Sequence, residues 1–368
     1  MYYDQKKLHN DLKFFLALIL CLLIIGLLFI YSSSSIFALA KYGAANYFVK
    51  KQLMGVGLGL IGLCIGRIIP LNLIKNLSSL FFGSSLFLTA LTLSPHFSEK
   101  IHGSRRWLSI HGFSFQPSEL LKISLIIYLA YFLTKEDAQL RSFRYGYFPF
   151  LIILGIVAAI LLKQPDFGMT VTLLTTAFIL FFSMQFRAKQ LIITLMTLLP
   201  TASALIYLRP YRWHRILTFL NPWKDPQGAG FQIIQSLIAI GSGSLVGIGI
   251  SHSKQKYFYL PMQHTDFIFS IIAEETGFLG SFTLITIYFL FLYFGMRISW
   301  QLKDPFASLL TFGFVVLISL QTMINLAVAT GLAPTKGIGL PFVSYGLSTL
   351  LCSMCMVGII INCVHENR

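Results

Sequence analysis

The chain has 368 residues, of which 56% are hydrophobic and 11% charged, with a formal net charge of +15. Such a sequence is too apolar for a soluble domain and indicates a polytopic membrane protein. The cysteines all lie in apolar runs, which favours small core residues over disulfides or metal ligands. These cysteines are Cys21, Cys64, Cys352, Cys355 and Cys363.

About ten runs are long and apolar enough to cross a hydrocarbon core of roughly 30 Å. They cover 14–31, 54–71, 77–94, 119–134, 147–164, 167–184, 189–207, 267–297, 307–329 and 343–363. We therefore predict an all-α polytopic membrane protein that forms one integral-membrane domain over residues 1–368. The first run is predicted to be a retained span, because no small-residue cleavage site follows it.

An even number of spans places both termini on one side of the membrane. Lysine and arginine in the N-terminal tail and in the short loops of that side favour the cytoplasm. The segment of about 208–266, between helices 7 and 8, then becomes a large extracytoplasmic loop. The outer face carries nearly as many basic residues, which indicates either an anionic ligand handled outside the membrane or contact with anionic headgroups.

Three carboxylates lie close together where this loop meets the eighth run. Asp266 directly precedes Phe-Ile-Phe, so one interpretation makes it the N-cap of the next helix and another makes it functional. Glu274 and Glu275 lie roughly 12–14 Å further along a helix, where capping does not explain them. Because ionised carboxylates are costly at membrane depth, these two residues require partners or water.

Two shorter outer segments also contain acids. After Pro117, which suits the first turn of a helix, Glu119 and Lys122 lie one turn apart on one face. A buried Glu–Lys pair near the outer mouth of the bundle is favoured there over a surface ion pair. Asp166 lies in the tight turn 163–168, where a capping role and a functional role are both open.

The loop before Asp266 is basic and rich in glycine. Arg212 and Arg215 lie three residues apart, and arginine is suited to bidentate binding of phosphate oxygens; an anionic lipid surface is the alternative. The glycines of 241–249 are too irregular for a dinucleotide fingerprint and indicate close approach of backbone to backbone or ligand. The amphipathic stretch 231–240 is predicted to lie along the membrane interface or dip into it. Lys336 lies in a segment broken by Gly and Pro, 330–348, whose irregular backbone is tolerated at membrane depth where either protein or a water-filled cavity satisfies it.

Five stretches in this order resemble the SEDS family of shape, elongation, division and sporulation proteins, over roughly residues 10–362. They are FQPSELLK (115–122), KQPDFG (163–168), the NPW to IAIGSG block (221–243), LPMQHTDFIFSIIAEETGFLG (260–280) and GLAPTKGIGLPFVSYGLS (331–348). The resemblance implies a glycosyltransferase that joins lipid II units into β-1,4 glycan strands on the outer face of the membrane. Details of the motifs resemble the cell-division branch more than the elongation branch.

The resemblance also implies site residues. The essential aspartate of the HTDF motif corresponds to Asp266, as catalytic base or metal-binding acid, and the QPSE-x-x-K pair corresponds to Glu119 and Lys122. Inverting glycosyl transfer requires a base at the acceptor hydroxyl and cations at the departing diphosphate. The residues predicted to bind substrate or its diphosphate are Arg212, Arg215, Lys122, Glu119, Lys336, His264 and Gln116. A divalent cation, Mg²⁺ or Mn²⁺, held by Asp266 is an open variant, although no cluster of acids marks a metal site.

As partners, the resemblance implies lipid II, a class B penicillin-binding protein with a single span, other membrane proteins of the division machinery and the membrane itself, with no nucleic acid. The implied location is the bacterial cytoplasmic membrane at the division septum. The chain departs from the family pattern at Met262, where glutamate is usual, at Ser244 and Leu347, where glycine is usual, and at Gly339, which replaces a common proline.

The sequence leaves two other classes of function open. A transporter or lipid II flippase would use Glu119, Lys122, Glu274 and Glu275 as a polar pathway, and its acids would continue along several helices to the inner face. In this sequence the acids cluster in the outer half. A scaffold that recruits the transpeptidase without catalysis is the third hypothesis.

Overall fold

The computed structural model describes residues 5–98, 104–110, 113–135, 143–184, 210–228, 230–257 and 260–367, together with the single residues 192, 196 and 207. The side chains of residues 109, 110, 113, 114 and 210–212 lie outside this description. Within it, six helices are long and apolar enough to cross a membrane. The predicted run 189–207 falls almost wholly outside the described residues.

The described part of the chain is a helical bundle. Its helices are α1 (Gln5–Tyr42), α2 (Tyr47–Ile68), α3 (Leu71–Asn76), α4 (Ser78–Leu91), α5 (Pro117–Leu133), α6 (Phe148–Lys163), α7 (Phe167–Ser183), α8 (Pro210–Leu220), α9 (Phe231–Ser242), α10 (Ile268–Gln301), α11 (Pro305–Ala329) and α12 (Leu347–Glu366). A π-helical turn, Phe143–Tyr147, leads into α6, and a 3₁₀ turn, Pro222–Lys224, follows α8. Every predicted run except 189–207 coincides with one of these helices.

The all-α fold class is confirmed, with one small exception. Strands β1 (Leu108–Ile110) and β2 (Phe113–Phe115) form an antiparallel hairpin in which Leu108 pairs with Phe115. Three-residue strands give too short an alternation to be recognised from sequence. The hairpin leads directly into α5, so it fixes the outer end of that helix beside the cavity described below.

Helices α2 and α12 pack through a stripe of glycines. A Cβ atom at Gly66 would lie 2.7 Å from the carbonyl oxygen of Cys355, and one at Gly62 would lie 2.9 Å from Cδ1 of Leu351. The absence of side chains lets the two helices approach closely. The prediction that all cysteines are core residues holds for Cys352 and Cys363 but is wrong for Cys21 and Cys64, which are exposed on the bundle surface.

A break in α10 receives the glycine-rich segment that follows α9. Gly277 interrupts α10 with φ +66°, and Gly247 has φ +83°. A Cβ at Gly277 would lie only 2.3 Å from the backbone nitrogen of Gly247. The break frees backbone groups of α10, and the Phe278 N–H donates to Ser244 O at 2.9 Å. The prediction that these glycines allow close backbone approach is confirmed.

Helix α9 packs against protein along one face. The Ser236 hydroxyl lies 2.6 Å from Ser270 Oγ on α10 and donates to Ala329 O at the end of α11 at 2.6 Å. Ile233 and Ile234 are also buried. The amphipathic pattern of 231–240 therefore reflects, at least on this face, packing onto α10 and α11.

Residues near the two termini lie at the same end of the bundle. The Arg297 guanidinium contacts the Asp11 carboxylate at 3.1 Å, and the Gln301 amide donates to the same carboxylate at 2.7 Å. Asn367, near the C-terminus, donates to Gln301 O at 3.5 Å. The cavity that contains Asp266 lies toward the other end of these helices.

Candidate active site

A cavity of about 550 Å³ lies where several loops meet the ends of α5, α7, α10, α11 and α12. Its wall includes charged and polar residues from several segments of the chain. These are Arg106, Gln116, Glu119, Asp166, Thr172, Arg215, Asp266, Gln321, Lys336 and Thr349. Residues 335–340, from the broken segment 330–348, form one side of this cavity.

Asp266 lies on this wall and does not cap a helix. The N-cap position of α10 is Phe267, and no side chain caps that end, so the capping interpretation of Asp266 is wrong. Asn325 of α11 fixes its backbone: the Asn325 amide donates to Asp266 O at 2.8 Å and to Ile338 O at 2.7 Å. One amide side chain thus fixes the two segments that face each other across the carboxylate.

The opposing segment approaches the carboxylate closely. A Cβ at Gly337 would lie 3.2 Å from Asp266 Oδ2. The Ser344 hydroxyl donates to Thr265 O at 2.5 Å and accepts from the Leu340 N–H at 2.7 Å. Together these contacts fix the position of the Asp266 carboxylate relative to the cavity.

The charge state of Asp266 reflects two opposing influences. Burial raises its pKa from the ordinary value of 3.8 to about 6, while the positive charges of Arg106 and Arg215 act to lower it. A carboxylate with this pKa is mostly ionised at neutral pH, yet binds a proton more readily than an exposed aspartate. These are the properties of a general base that works near neutrality.

Three cations line the same cavity. Arg215 donates from Nη1 to Thr335 O at 2.7 Å, which ties α8 to the segment 335–340. Lys336 places its amine 4.9 Å above the centre of the Phe167 ring. Burial, and secondly the charge of Arg215, lower the pKa of Lys336, whereas the charge of Asp166 acts to raise it.

The third cation, Arg106, was not singled out as a site residue from sequence. Its Nη2 donates to Pro165 O at 2.6 Å, and its Nη1 lies 3.5 Å from Asp166 Oδ2. Asp166 also accepts the Met169 N–H at 3.1 Å, which confirms that it caps α7. Because it lines the cavity as well, a functional role stays a prediction. The only sequence signal for Arg106 is its place in the basic outer segment 104–107.

The predicted buried Glu–Lys pair is confirmed. Lys122 Nζ lies 2.6 Å from Glu119 Oε2, and both side chains are buried. Glu119 lines the cavity together with Gln116, whereas Lys122 is fully enclosed and is not part of the wall. Lys122 therefore contacts Glu119 directly and can influence a ligand in the cavity only through that carboxylate.

His264 lies behind the cavity wall. Its ring packs against Phe37 and Phe48, with centroid distances of 5.9 and 4.4 Å, and burial lowers its pKa to about 4. Its backbone carbonyl accepts the N–H of Tyr345, which does line the cavity. Arg212 lies on α8, but its side chain is outside the described residues.

Glu274 and Glu275 lie in a separate, closed cluster. Glu275 accepts the Ser32 hydroxyl at 2.6 and 2.7 Å and lies 3.5 Å from Lys256 Nζ. Glu274 accepts the Ser253 hydroxyl and the backbone N–H of Lys254. The predicted need for partners is confirmed, and neither glutamate is part of the cavity wall.

The carboxylates of the cavity do not form a typical metal site. Asp166 pairs with Arg106, Glu119 pairs with Lys122, and the charges of two arginines act on Asp266. Among the described residues, no group of three His, Cys, Asp or Glu side chains could hold a metal ion. Asp166 and Glu119 are thus already paired with protein cations, which leaves Asp266 as the acid on which the open Mg²⁺ or Mn²⁺ variant rests.

The chain is similar to known proteins over most of its length. A family model described as "Cell cycle protein", for FtsW, RodA and SpoVE, matches residues 12–368. A probable peptidoglycan glycosyltransferase FtsW of Geobacter sp. (strain M18) is 40% identical over 337 residues, 92% of each chain. Stage V sporulation protein E of Bacillus subtilis (strain 168) is 38% identical over 363 residues, 99% of each chain.

Solved structures show the same fold. A chain from a peptidoglycan synthase complex that coordinates polymerization and crosslinking superimposes with a TM-score of 0.80 at 28% identity, covering 100% of this chain and 99% of that one. The rod shape determining protein RodA of Thermus thermophilus superimposes with a TM-score of 0.71 at 24% identity, covering 100% of this chain and 98% of that one.

Proposed function

Because this chain belongs to the FtsW, RodA and SpoVE family of cell cycle proteins, we infer that it is a peptidoglycan glycosyltransferase. We propose that its substrate is lipid II, which it polymerises into β-1,4-linked glycan strands in the cavity around Asp266. The observation that carries this proposal is the combination of one carboxylate of raised pKa with three cations on one cavity wall. Base and cations are the two groups that the reaction requires.

Asp266 is the base in this proposal. It takes the proton from the acceptor sugar hydroxyl as that oxygen attacks the anomeric carbon of the donor sugar. The new C–O bond forms while the bond from the anomeric carbon to the diphosphate oxygen breaks, with inversion. The proton ends on an Asp266 oxygen, and the electron pair leaves with undecaprenyl diphosphate. A positioned base typically contributes about 10²–10⁴-fold to the rate.

Arg106, Arg215 and Lys336 stabilise the departing diphosphate. Negative charge develops there in the transition state, and preorganised cations in a partly enclosed site stabilise it strongly. Each side chain is already held by protein contacts, Arg106 by Pro165 O, Arg215 by Thr335 O and Lys336 by the Phe167 ring. They therefore need little reorganisation when substrate binds.

The same proposal places the chain in the bacterial cytoplasmic membrane with about ten spans and both termini in the cytoplasm. The contacts that join Asp11 and Asn367 to Gln301 support termini on one side. The segment of about 208–266 then lies outside, where lipid II is polymerised. We further propose action at the division septum with other division proteins and with a single-span transpeptidase, supported by the structural likeness to a synthase complex.

A transporter is less well supported. Its polar pathway would connect the cavity to the opposite end of the bundle. The acids described at that end have other roles: Asp11 pairs with Arg297, Asp304 caps α11 and Glu366 accepts the Leu71 N–H. Glu274 and Glu275 are enclosed in their own cluster.

The test is polymerisation of purified lipid II by the purified chain, with and without its cognate transpeptidase. Wild type is expected to form glycan, and Asp266→Asn, which has nearly the same shape, is expected to form none while it inserts and purifies normally. Retained polymerisation by the variant would refute the role of Asp266. An inactive wild type in the presence of the partner would favour the scaffold.

A further inference from the structure

One side chain on the cavity wall has a hydrogen-bonding group that the proposed chemistry does not use. Gln321 of α11 is 3% exposed and lines the cavity, yet its Oε1 has no hydrogen-bond partner among the described residues. Buried polar groups in native proteins are nearly always paired, so an unpaired one calls for an explanation. Its place on the wall of a cavity points to a ligand.

The position of Gln321 relates it to Asp266. It lies four residues before Asn325, on the same face of α11 and about one helical turn away. Asn325 is the residue that holds the backbone of Asp266 and of Ile338. Gln321 is therefore about one turn along α11 from the level at which the proposed base is fixed. A ligand group that contacts Gln321 would therefore lie about one helical turn from this level.

The surrounding wall indicates the chemistry of that group. Gln116 and Thr349 are neutral, and the charge of Glu119 is matched by Lys122 at 2.6 Å. Neutral amides and hydroxyls pair well with sugar hydroxyl and acylamino groups, whereas phosphate oxygens are better bound by the cations elsewhere on the wall. The cavity wall thus carries both cations and uncharged hydrogen-bonding groups.

We propose that Gln321 forms a subsite that binds a hydroxyl or acylamino group of a substrate sugar next to Asp266. This proposal rests on the proposed glycosyltransferase function and assigns to Gln321 a contact with the sugar and not with the diphosphate. An amide can present either its oxygen or its N–H₂ group by rotation, so it suits both kinds of sugar group.

The test compares two ligands that differ in the sugar. Binding of lipid II and of undecaprenyl diphosphate, which has the same carrier and diphosphate but no sugar, is measured for wild type and Gln321→Met. The variant keeps the length of the side chain and removes its hydrogen bond. We expect lipid II affinity and kcat/KM to fall roughly five- to a hundredfold, the effect of one buried hydrogen bond. Affinity for undecaprenyl diphosphate is expected to stay unchanged.

Thermal unfolding separates this role from a structural one. If Gln321 serves the ligand, replacing its unpaired amide by an apolar group leaves the Tm of the free protein unchanged or higher. Ser319→Ala is the matched control: its Oγ also has no partner among the described residues, and it lies on α11 outside the cavity wall. This control is expected to change neither binding nor activity.

Three results would overturn the subsite. They are unchanged lipid II binding in Gln321→Met, equal weakening of both ligands, or a loss of binding that follows a lowered Tm. Glycan synthesis by Asp266→Asn would instead refute the proposed mechanism, and the comparison of the two ligands would still report on Gln321.

Discussion

Asp266 lies within ten residues of the pair Glu274 and Glu275 in the sequence, but the surroundings of Asp266 differ from those of the pair. Glu274 and Glu275 are enclosed, and their oxygens are bonded to serine hydroxyls, backbone N–H groups and Lys256. Asp266 faces a cavity of about 550 Å³, with cations on the same wall. A carboxylate whose bonding capacity is used by the protein stabilises the fold, and one that faces a cavity is available for chemistry.

The two regions also differ in what their contacts connect. The enclosed cluster joins α1, the break in α10 and the loop after α9, because Ser32, Glu275 and Ser253 come from those three segments. At Asp266 it is the backbone carbonyl that bonds to the protein, through the Asn325 amide, and the carboxylate lies on the cavity wall. The first arrangement predicts large effects on stability and the second predicts large effects on activity.

The largest expected effect is on stability, from Glu275→Ala. This change leaves Lys256, the Ser32 hydroxyl and the Ser253 N–H without their carboxylate, and breaking a buried ion pair in this way costs about 3–5 kcal/mol. Thermal and denaturant unfolding in detergent measure it. Asp266→Asn is the comparison variant and is expected to be at least as stable as wild type at pH 7.

For polymerisation activity we expect Asp266→Asn to have the larger effect and Glu275→Ala the smaller one. Glu275→Ala molecules that remain folded are expected to polymerise lipid II, because Glu275 is not part of the cavity wall. If Glu275→Ala abolished polymerisation while its Tm stayed at the wild-type value, the assignment of this cluster to stability would be wrong.

The sequence was sufficient for much of this comparison. Apolar runs located the described spanning helices, and the three-residue spacing of Glu119 and Lys122 predicted their buried pair. A spacing rule cannot show where a loop folds back, so it left Asp266 open between a cap and a functional residue. For the same reason His264, two residues away, was predicted as a ligand contact but is packed behind the wall.

The residues that sequence reasoning missed depend on long-range contacts. Arg106 reaches the turn between α6 and α7, and Asn325 reaches Asp266 from another helix. Gln321 is one polar residue within an apolar run, and only the cavity distinguishes it from a residue that is merely buried. Each contact joins residues far apart in the chain, which no local pattern encodes.

The second prediction concerns pH and Asp266. With a pKa of about 6, the carboxylate loses its base form below that pH, so kcat/KM of wild type should fall about tenfold per pH unit below pH 6 and level off above it. Initial rates of lipid II polymerisation between pH 4.5 and 8 measure this profile. A profile that stays level down to pH 4.5 would contradict the proposed base.

The pH dependence of stability, compared between wild type and Asp266→Asn, gives an independent check on the pKa of Asp266. A carboxyl with a raised pKa holds its proton more tightly when folded than when unfolded, so its contribution to stability declines as pH rises from about 4 to about 6. The amide that replaces this carboxyl in Asp266→Asn does not titrate. The Tm of this variant should therefore rise relative to that of wild type over the same interval, and a constant difference would contradict the shift.

The smallest expected effect concerns the loop that the enclosed cluster holds. Ser244 has φ +49°, in the left-handed region that favours glycine. Its side chain is exposed, and its carbonyl accepts the Phe278 N–H beside the break in α10. Ser244→Gly removes a backbone strain of about 1–2 kcal/mol, partly offset by greater freedom of the unfolded chain.

The net gain in stability for Ser244→Gly is expected to be about 0.5–1 kcal/mol, measured by the same unfolding assay. Ser244→Ala is the matched control, because it removes the hydroxyl and keeps the Cβ atom that causes the strain. If the alanine variant gained as much as the glycine variant, the hydroxyl and not the backbone would be responsible. Polymerisation should be unchanged in both, since Ser244 is outside the cavity wall and acts on the cluster that stabilises the fold.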